Sequence, residues 1–128
     1  DPFMKQIIET LQAPKAIGPY SQAAMVQNTI YCSGQIAMDP KSQKFLGGPC
    51  DKQARQALLN LQEVLRAADY SLAHVVKTTI YLKNMSDFAA VNQVYQEFFP
   101  EPYPARSTVE VAGLPLGALV EFEAIAVK

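Results

Sequence analysis

The chain has 128 residues, 49% of them hydrophobic, and a formal net charge of −1. That length builds one domain around one core and excludes two. Lys and Arg are scattered, so no run suggests a nucleic-acid groove. No apolar stretch approaches the roughly 20 residues of a membrane span, and no signal-peptide pattern is present.

Asp1-Pro2-Phe3 ahead of Met4 reads as an appended start, so the single domain is expected over 4–128. Residues 5–11 make a first strand. The Pro- and Gly-bent segment 13–19 then delivers Tyr20 to a defined place. Residues 20–27 and 29–36 read as a hairpin around a tight turn at Gln27-Asn28-Thr29. Gly34, near the end of its second strand, marks a bulge or a close backbone approach. Residues 38–49 form an exposed loop. Its Gly47-Gly48 pair lacks the Lys-Ser/Thr of a phosphate loop.

A helix is expected from Cys50 or Asp51 to Ala68. Ala54, Ala57, Leu58, Leu61, Val64, Leu65 and Ala68 form one apolar stripe at helical spacing. Gln53, Gln56, Asn60 and Glu63 are placed on the opposite, polar face. Asp69-Tyr70-Ser71 breaks the helix. Val75–Lys83 is rich in β-branched and aromatic residues and reads as a strand. Ser86 or Asp87 is expected to cap a second helix reaching Phe98, with Phe88, Val91, Tyr95 and Phe98 or Phe99 inward. Pro100, Pro102 and Pro104 end it and lead the chain extended into Arg106.

Residues 103–124 read as two strands joined by a Gly/Pro turn, each with a charge in a costly place. Glu121 lies between Val120 and Phe122 and, like Glu123, shares its face with Ile125 and Val127. A carboxylate there must be paired or used. With Arg106 and Glu121 on neighbouring strands, the pair would either be structural or bind a small carboxylic acid and activate water beside it. The element order gives an α+β fold, a mixed sheet with two helices on one face, whose second face must be covered.

Cys32 and Cys50 show no metal or redox spacing, which suits a reducing, cytoplasmic compartment, with Cys32 a core residue. His74, the single histidine, reads as a partly exposed residue before a strand. No metal site is expected.

Five motifs carry a resemblance. Ala16-Ile17-Gly18-Pro19-Tyr20-Ser21-Gln22, Ser33-Gly34-Gln35-Ile36, Val75–Thr79, Asp87–Asn92 and the run from Pro104-Ala105-Arg106-Ser107 to Val120–Val127 are similar, in order and spacing, to the RidA family (YjgF/YER057c/UK114). The resemblance spans roughly residues 10 to 128. It implies a chorismate-mutase-like fold assembled as a homotrimer around a central β-barrel, with sites between subunits. It also implies hydrolysis of enamine/imine products of pyridoxal-phosphate dehydratases, such as 2-iminobutanoate and 2-iminopropanoate, to 2-keto acids and ammonia, without a cofactor.

The residues matching the family's site are Arg106, as carboxylate clamp, and Glu121, as the acid that places water. Tyr20, Ser33, Gly34, Asn92, Ser107 and Thr108 would surround the substrate. Thr108 stands where many relatives have Cys, which removes any thiol-dependent role. Leu116 stands where relatives often have Lys. A carboxylate-binding regulator without catalysis is the main rival reading. An RNA-cleaving or translation-inhibiting role is a weaker one, given the charge and the lone histidine.

Overall fold

The computed structural model describes residues 3–128. Asp1 and Pro2, read as part of an appended start, lie outside them. The strands are β1 (Gln6–Ile8), β2 (Ala23–Val26), β3 (Thr29–Gln35), β4 (Val75–Leu82), β5 (Ala105–Glu110) and β6 (Val120–Val127). The helices are α1 (Cys50–Arg66) and α2 (Phe88–Phe98). The α+β class with two helices on one sheet face holds. Among the described residues no helix is long and apolar enough to cross a membrane.

Local chemistry explains most element ends. β2 and β3 pair from Val26–Thr29 outward around a two-residue turn in which Gln27 adopts φ 54°. α1 starts after Pro49, which has no N–H to leave unsatisfied, and carries Asp51 in its first turn. It stops where Asp69 turns left-handed at φ 61°. His74 is half-buried. Its Nδ1 accepts the Ser71 N–H at 2.9 Å and its ring meets Tyr70 edge-on, so it closes a turn. Both cysteines are free and buried.

Several expectations change. The first strand is short, Gln6–Ile8 rather than 5–11. The expected cap at Ser86 or Asp87 is not made by a side chain; a 3-10 turn, Met85–Asp87, leads into α2 instead. Most consequentially, β5 and β6 are not neighbours. The sheet order is β1-β2-β3-β6-β4-β5, with β4 antiparallel to β6 and parallel to β5. The Gly/Pro segment 111–119 therefore crosses over β4 and does not close a hairpin. Central β4, with its β-branched residues, pairs on both edges and displaces the local hairpin.

One face of the sheet is covered by the helices. Phe122, Ile30, Leu58, Leu61, Leu65, Ile80 and Leu82 are fully buried there, each contributing about 1.5–3 kcal/mol by transfer from water. Gln53 and Asn60 are also inside, at 3% and 1% exposure, not on the solvent face. The second face is open. It carries Ile7, Tyr31 and Val109, exposed, beside half-buried Glu121, Glu123 and Ile125.

Candidate functional site

Strand alternation decides where the two charges go. Arg106 pairs with Thr78, which pairs with buried Ala124, so Arg106 belongs to the helix-covered face. Glu121 is three residues from Ala124 and so lies on the open face. Two ladder steps of about 4.8 Å each also separate their strands. The expected pair of neighbouring strands is thus corrected: β4 stands between them, and within one chain Arg106 and Glu121 point to opposite sides of the sheet.

Arg106 sits at the sheet's edge against α2. Its Nη1 donates to Asn92 Oδ1 at 2.8 Å. Its guanidinium carbon lies 5.0 Å from the Tyr95 ring centre and 5.5 Å from that of Phe88. Tyr95 is fixed in turn, stacked on Phe99 at 4.3 Å and hydrogen-bonded through its hydroxyl to Thr78 Oγ1 at 2.8 Å. Aromatic faces and one amide oxygen steady a cation without neutralising it. Among the described residues the ion pairs are Arg55–Glu97 and Glu63–Arg66; Arg106 has no carboxylate partner. It lines a cleft of about 400 Å3 with Asn92, Gln93, Tyr95, Gln96, Tyr103 and Pro104.

Thr108 shares this face. Its Oγ1 is buried and makes no hydrogen bond within the chain. β5 has a neighbour on one side only. By alternation from Val111, whose N–H bonds the Leu82 carbonyl at 2.9 Å, the N–H groups of Arg106 and Thr108 point out from the sheet edge. That of Ser107 points into the ladder, and the Ser107 side chain belongs to the open face.

The second group of residues gathers on the open face. Gly34 lies in a bulge: Cys32 pairs with Ala124 but Gln35 with Phe122, so β3 spends one residue more than β6. Glu121 fills the space this creates. A Cβ at Gly34 would stand 2.7 Å from Glu121 Cδ and 2.8 Å from Oε2, closer than any side chain tolerates. Burial pushes the Glu121 carboxyl above its ordinary range, and neighbouring Glu123 adds to the rise. Arg106, on the other face, does not offset it. Glu123 itself accepts a 2.6 Å hydrogen bond from Tyr81, whose hydroxyl is pushed up to about 12, chiefly by that bond.

Tyr20 and Ser33 stand near this group, lining a shallow depression with Gly18, Pro19, Tyr31 and Cys32. Tyr20 is 56% exposed. Ser33 Oγ donates to the Ser21 carbonyl, so it also ties β3 to the Tyr20 loop. The expected residues thus fall into two sets: Asn92, Arg106 and Thr108 by α2, and Tyr20, Ser33, Gly34, Ser107 and Glu121 on the open face. Sequence reasoning missed Tyr95 as the platform under Arg106, taking it for core, and missed Tyr81 and Tyr103. Tyr81 has a local signal, the odd aromatic on the non-core side of β4. The other two have none, because they depend on how α2 crosses β5. Among the described residues no cluster of His, Cys, Asp or Glu could hold a metal.

Residues 10–128 match the family described as Endoribonuclease L-PSP. A goat (Capra hircus) protein named 2-iminobutanoate/2-iminopropanoate deaminase is 50% identical over 126 residues, covering 98% of this chain and 92% of its own. RidA from the Antarctic bacterium Psychrobacter superposes with a TM-score of 0.92 at 45% identity, over 96% of this chain and 99% of its own. Escherichia coli TdcF with bound serine does so at 0.91 and 40% identity, over 96% and 98%.

Proposed function

The chain belongs to the Endoribonuclease L-PSP family, known also as RidA, and from that premise we propose that it hydrolyses 2-imino acids to 2-keto acids and ammonia. The deaminase name of relatives near 50% identity supports the activity. The observation that carries the site is Arg106: a guanidinium held in a cleft by Asn92, Phe88 and Tyr95 and left without a carboxylate. Its planar fork suits the carboxylate that every 2-imino acid carries beside its C=N carbon. TdcF's bound serine is an acid of similar size.

The chemistry uses the second set. Glu121 takes a proton from water as the water oxygen bonds to the iminium carbon, giving a carbinolamine. It returns the proton to the amine nitrogen. The C–N bond then breaks, the hydroxyl proton is released, ammonia leaves and the ketone forms. A carboxyl poised above its ordinary range by burial is a stronger base than a free one. Tyr20 and Ser33 wall the pocket, and the Thr108 hydroxyl and edge N–H supply donors and acceptors.

Since Arg106 and Glu121 lie on opposite faces of one sheet, the complete site forms between copies. The open apolar face with Ile7, Tyr31 and Val109 supports such an assembly, a homotrimer with the open faces turned inward into a barrel. Small imines released by pyridoxal-phosphate dehydratases are the substrates, and the two free cysteines favour the cytoplasm. The RNA-cleaving reading has less support: the single histidine is tied into a turn.

The test couples a threonine dehydratase to the protein in a buffer where free imine hydrolyses slowly. The protein is expected to raise the rate of 2-keto acid formation in proportion to its concentration. A folded trimer that leaves the rate unchanged would overturn the proposal. Gly34→Ala gives an internal check. The added methyl evicts Glu121 from its seat, so kcat is expected to fall at least about tenfold, since a 1 Å misplacement can cost about 10²-fold. Unchanged kcat in that variant would mean that the seat is irrelevant to turnover.

A further inference from the structure

Two amides of α1, Gln53 and Asn60, lie in the core where hydrophobic residues would be less costly. Gln53 Oε1 accepts the Leu119 N–H at 2.9 Å, and its Nε2 donates to the Gly48 carbonyl at 2.9 Å. Asn60 Nδ2 donates to the carbonyls of Ile36 and Met38, at 3.1 and 2.9 Å, while its Oδ1 accepts from Gln56 at 2.9 Å. Both amides are thus satisfied on both ends.

Their targets are particular. Leu119 lies two residues before Glu121, and Ile36 two residues after Gly34. Just inside these points the β3–β6 ladder carries its bulge, with three steps of β3, Cys32 to Gln35, set against two of β6, Ala124 to Phe122. At a bulge the ladder bonds do not hold the two backbones at one fixed offset. Yet the Glu121 carboxyl is seated within 3 Å of where a Gly34 side chain would be. The Gln35–Phe122 and Tyr81–Glu121 pairs hold the strands beside that seat, and α1 adds a grip on the segment beyond each.

We propose that Gln53 and Asn60 are positioning residues: from the buried side of the sheet they set the Glu121 carboxylate over Gly34 on the other side, where it meets water. This deepens the reading of Glu121 as the acid–base of imine hydrolysis and rests on it. Neither amide touches substrate. Leu119 leads directly into β6; its carbonyl accepts the Lys83 N–H at 3.0 Å and its N–H bonds Gln53, so β4 and α1 together set the height at which Glu121 enters the sheet. Asn60 fixes the exit of β3 in the same way. A shift of 1 Å in such a group can cost on the order of 10²-fold in rate.

Three Gln53 variants and one reference test this in the coupled assay. Gln53→Met fills the same space without either bond. Its kcat is expected to fall about tenfold or more while KM changes less than about twofold, since the Arg106 cleft is untouched. Gln53→Glu keeps an acceptor for the Leu119 N–H but loses the donor to Gly48. It is expected to melt lower than wild type, yet recover most of kcat. A merely structural role would make kcat follow melting temperature in both variants, and that outcome would overturn the proposal, as would wild-type kcat in Gln53→Met. If Gln53→Met fails to assemble, Gln53→Asn, which retracts the amide by one methylene, must show the same loss of kcat at constant KM or the proposal fails. Glu121→Gln is the reference. If it lowers kcat while Gln53→Met does not, only the positioning role falls. If it leaves kcat unchanged, the role of Glu121 falls first and takes the positioning role with it.

Discussion

Arg106→Ala is expected to lower kcat/KM for 2-imino acids by on the order of 10²–10⁴-fold. A hydrogen bond to a charged group is worth roughly 1.5–3 kcal/mol, a guanidinium offers a carboxylate two in parallel, and each 1.4 kcal/mol is about tenfold. The fold is expected to survive, because Arg106 is exposed and its bond to Asn92 is not in the core. Arg106→Lys is not expected to rescue, since an ammonium cannot span both carboxylate oxygens or stack on Tyr95. Steady-state kinetics and a melting curve suffice. A variant within about twofold of wild type in kcat/KM would remove Arg106 from the site.

The same variant tests where the site is built. Copies of Arg106→Ala and Glu121→Gln, unfolded together and reassembled, place an intact Arg106 beside an intact Glu121 only across a subunit boundary. At equal proportions about a quarter of the sites in random trimers regain both groups. Recovered activity near that share supports a site shared between copies. No recovery, with mixed assembly verified by mass, would return both residues to a single chain and contradict the opposite-face geometry.

Glu121→Gln is expected to lower kcat by about 10²–10⁴-fold, the usual worth of a positioned acid–base, with KM nearly unchanged. This variant also separates an enzyme from a carboxylate-binding regulator. A regulator would keep its ligand affinity, lose nothing on the change, and show no turnover to begin with.

Stability gives an independent reading of the same carboxyl. Its folded-state pKa is raised, by burial first and by Glu123 second. The native chain therefore holds this proton at a pH where the unfolded chain has released it. Stability from this group is complete below the ordinary carboxylate range and is lost as pH rises through the raised value. The melting temperature of wild type minus that of Glu121→Gln should fall across that window and then level off. A flat or rising difference would mean that Glu121 is not desolvated in the assembled protein.

Much of the architecture is legible in local pattern. The apolar stripe of α1 at Leu58, Leu61 and Leu65 is buried, the β2–β3 hairpin closes at Gln27-Asn28, and Gly34 marks a bulge. These follow from residue periodicity and from the conformations that single residues allow. Arg106 and Glu121 stand out as well, because a charge in an apolar strand is costly wherever that strand goes.

Tertiary pairing decided the rest. Alternation along β5 and β6 assigns each residue to one side of its own strand, but it does not say which sides coincide. That required β4 to insert between them, a non-local pairing across more than twenty residues of sequence on one side and nearly forty on the other. It put Arg106 and Glu121 on opposite faces, which is why the proposed site is one shared between copies. The same holds for Gln53 and Asn60. On a helical wheel they flank the apolar stripe and look solvated; they are buried because the chain brings backbone groups at Ile36, Met38, Gly48 and Leu119 to that flank, where each needs a partner. Helical periodicity reports how a side chain is oriented on its own axis. What arrives opposite it is settled by packing alone.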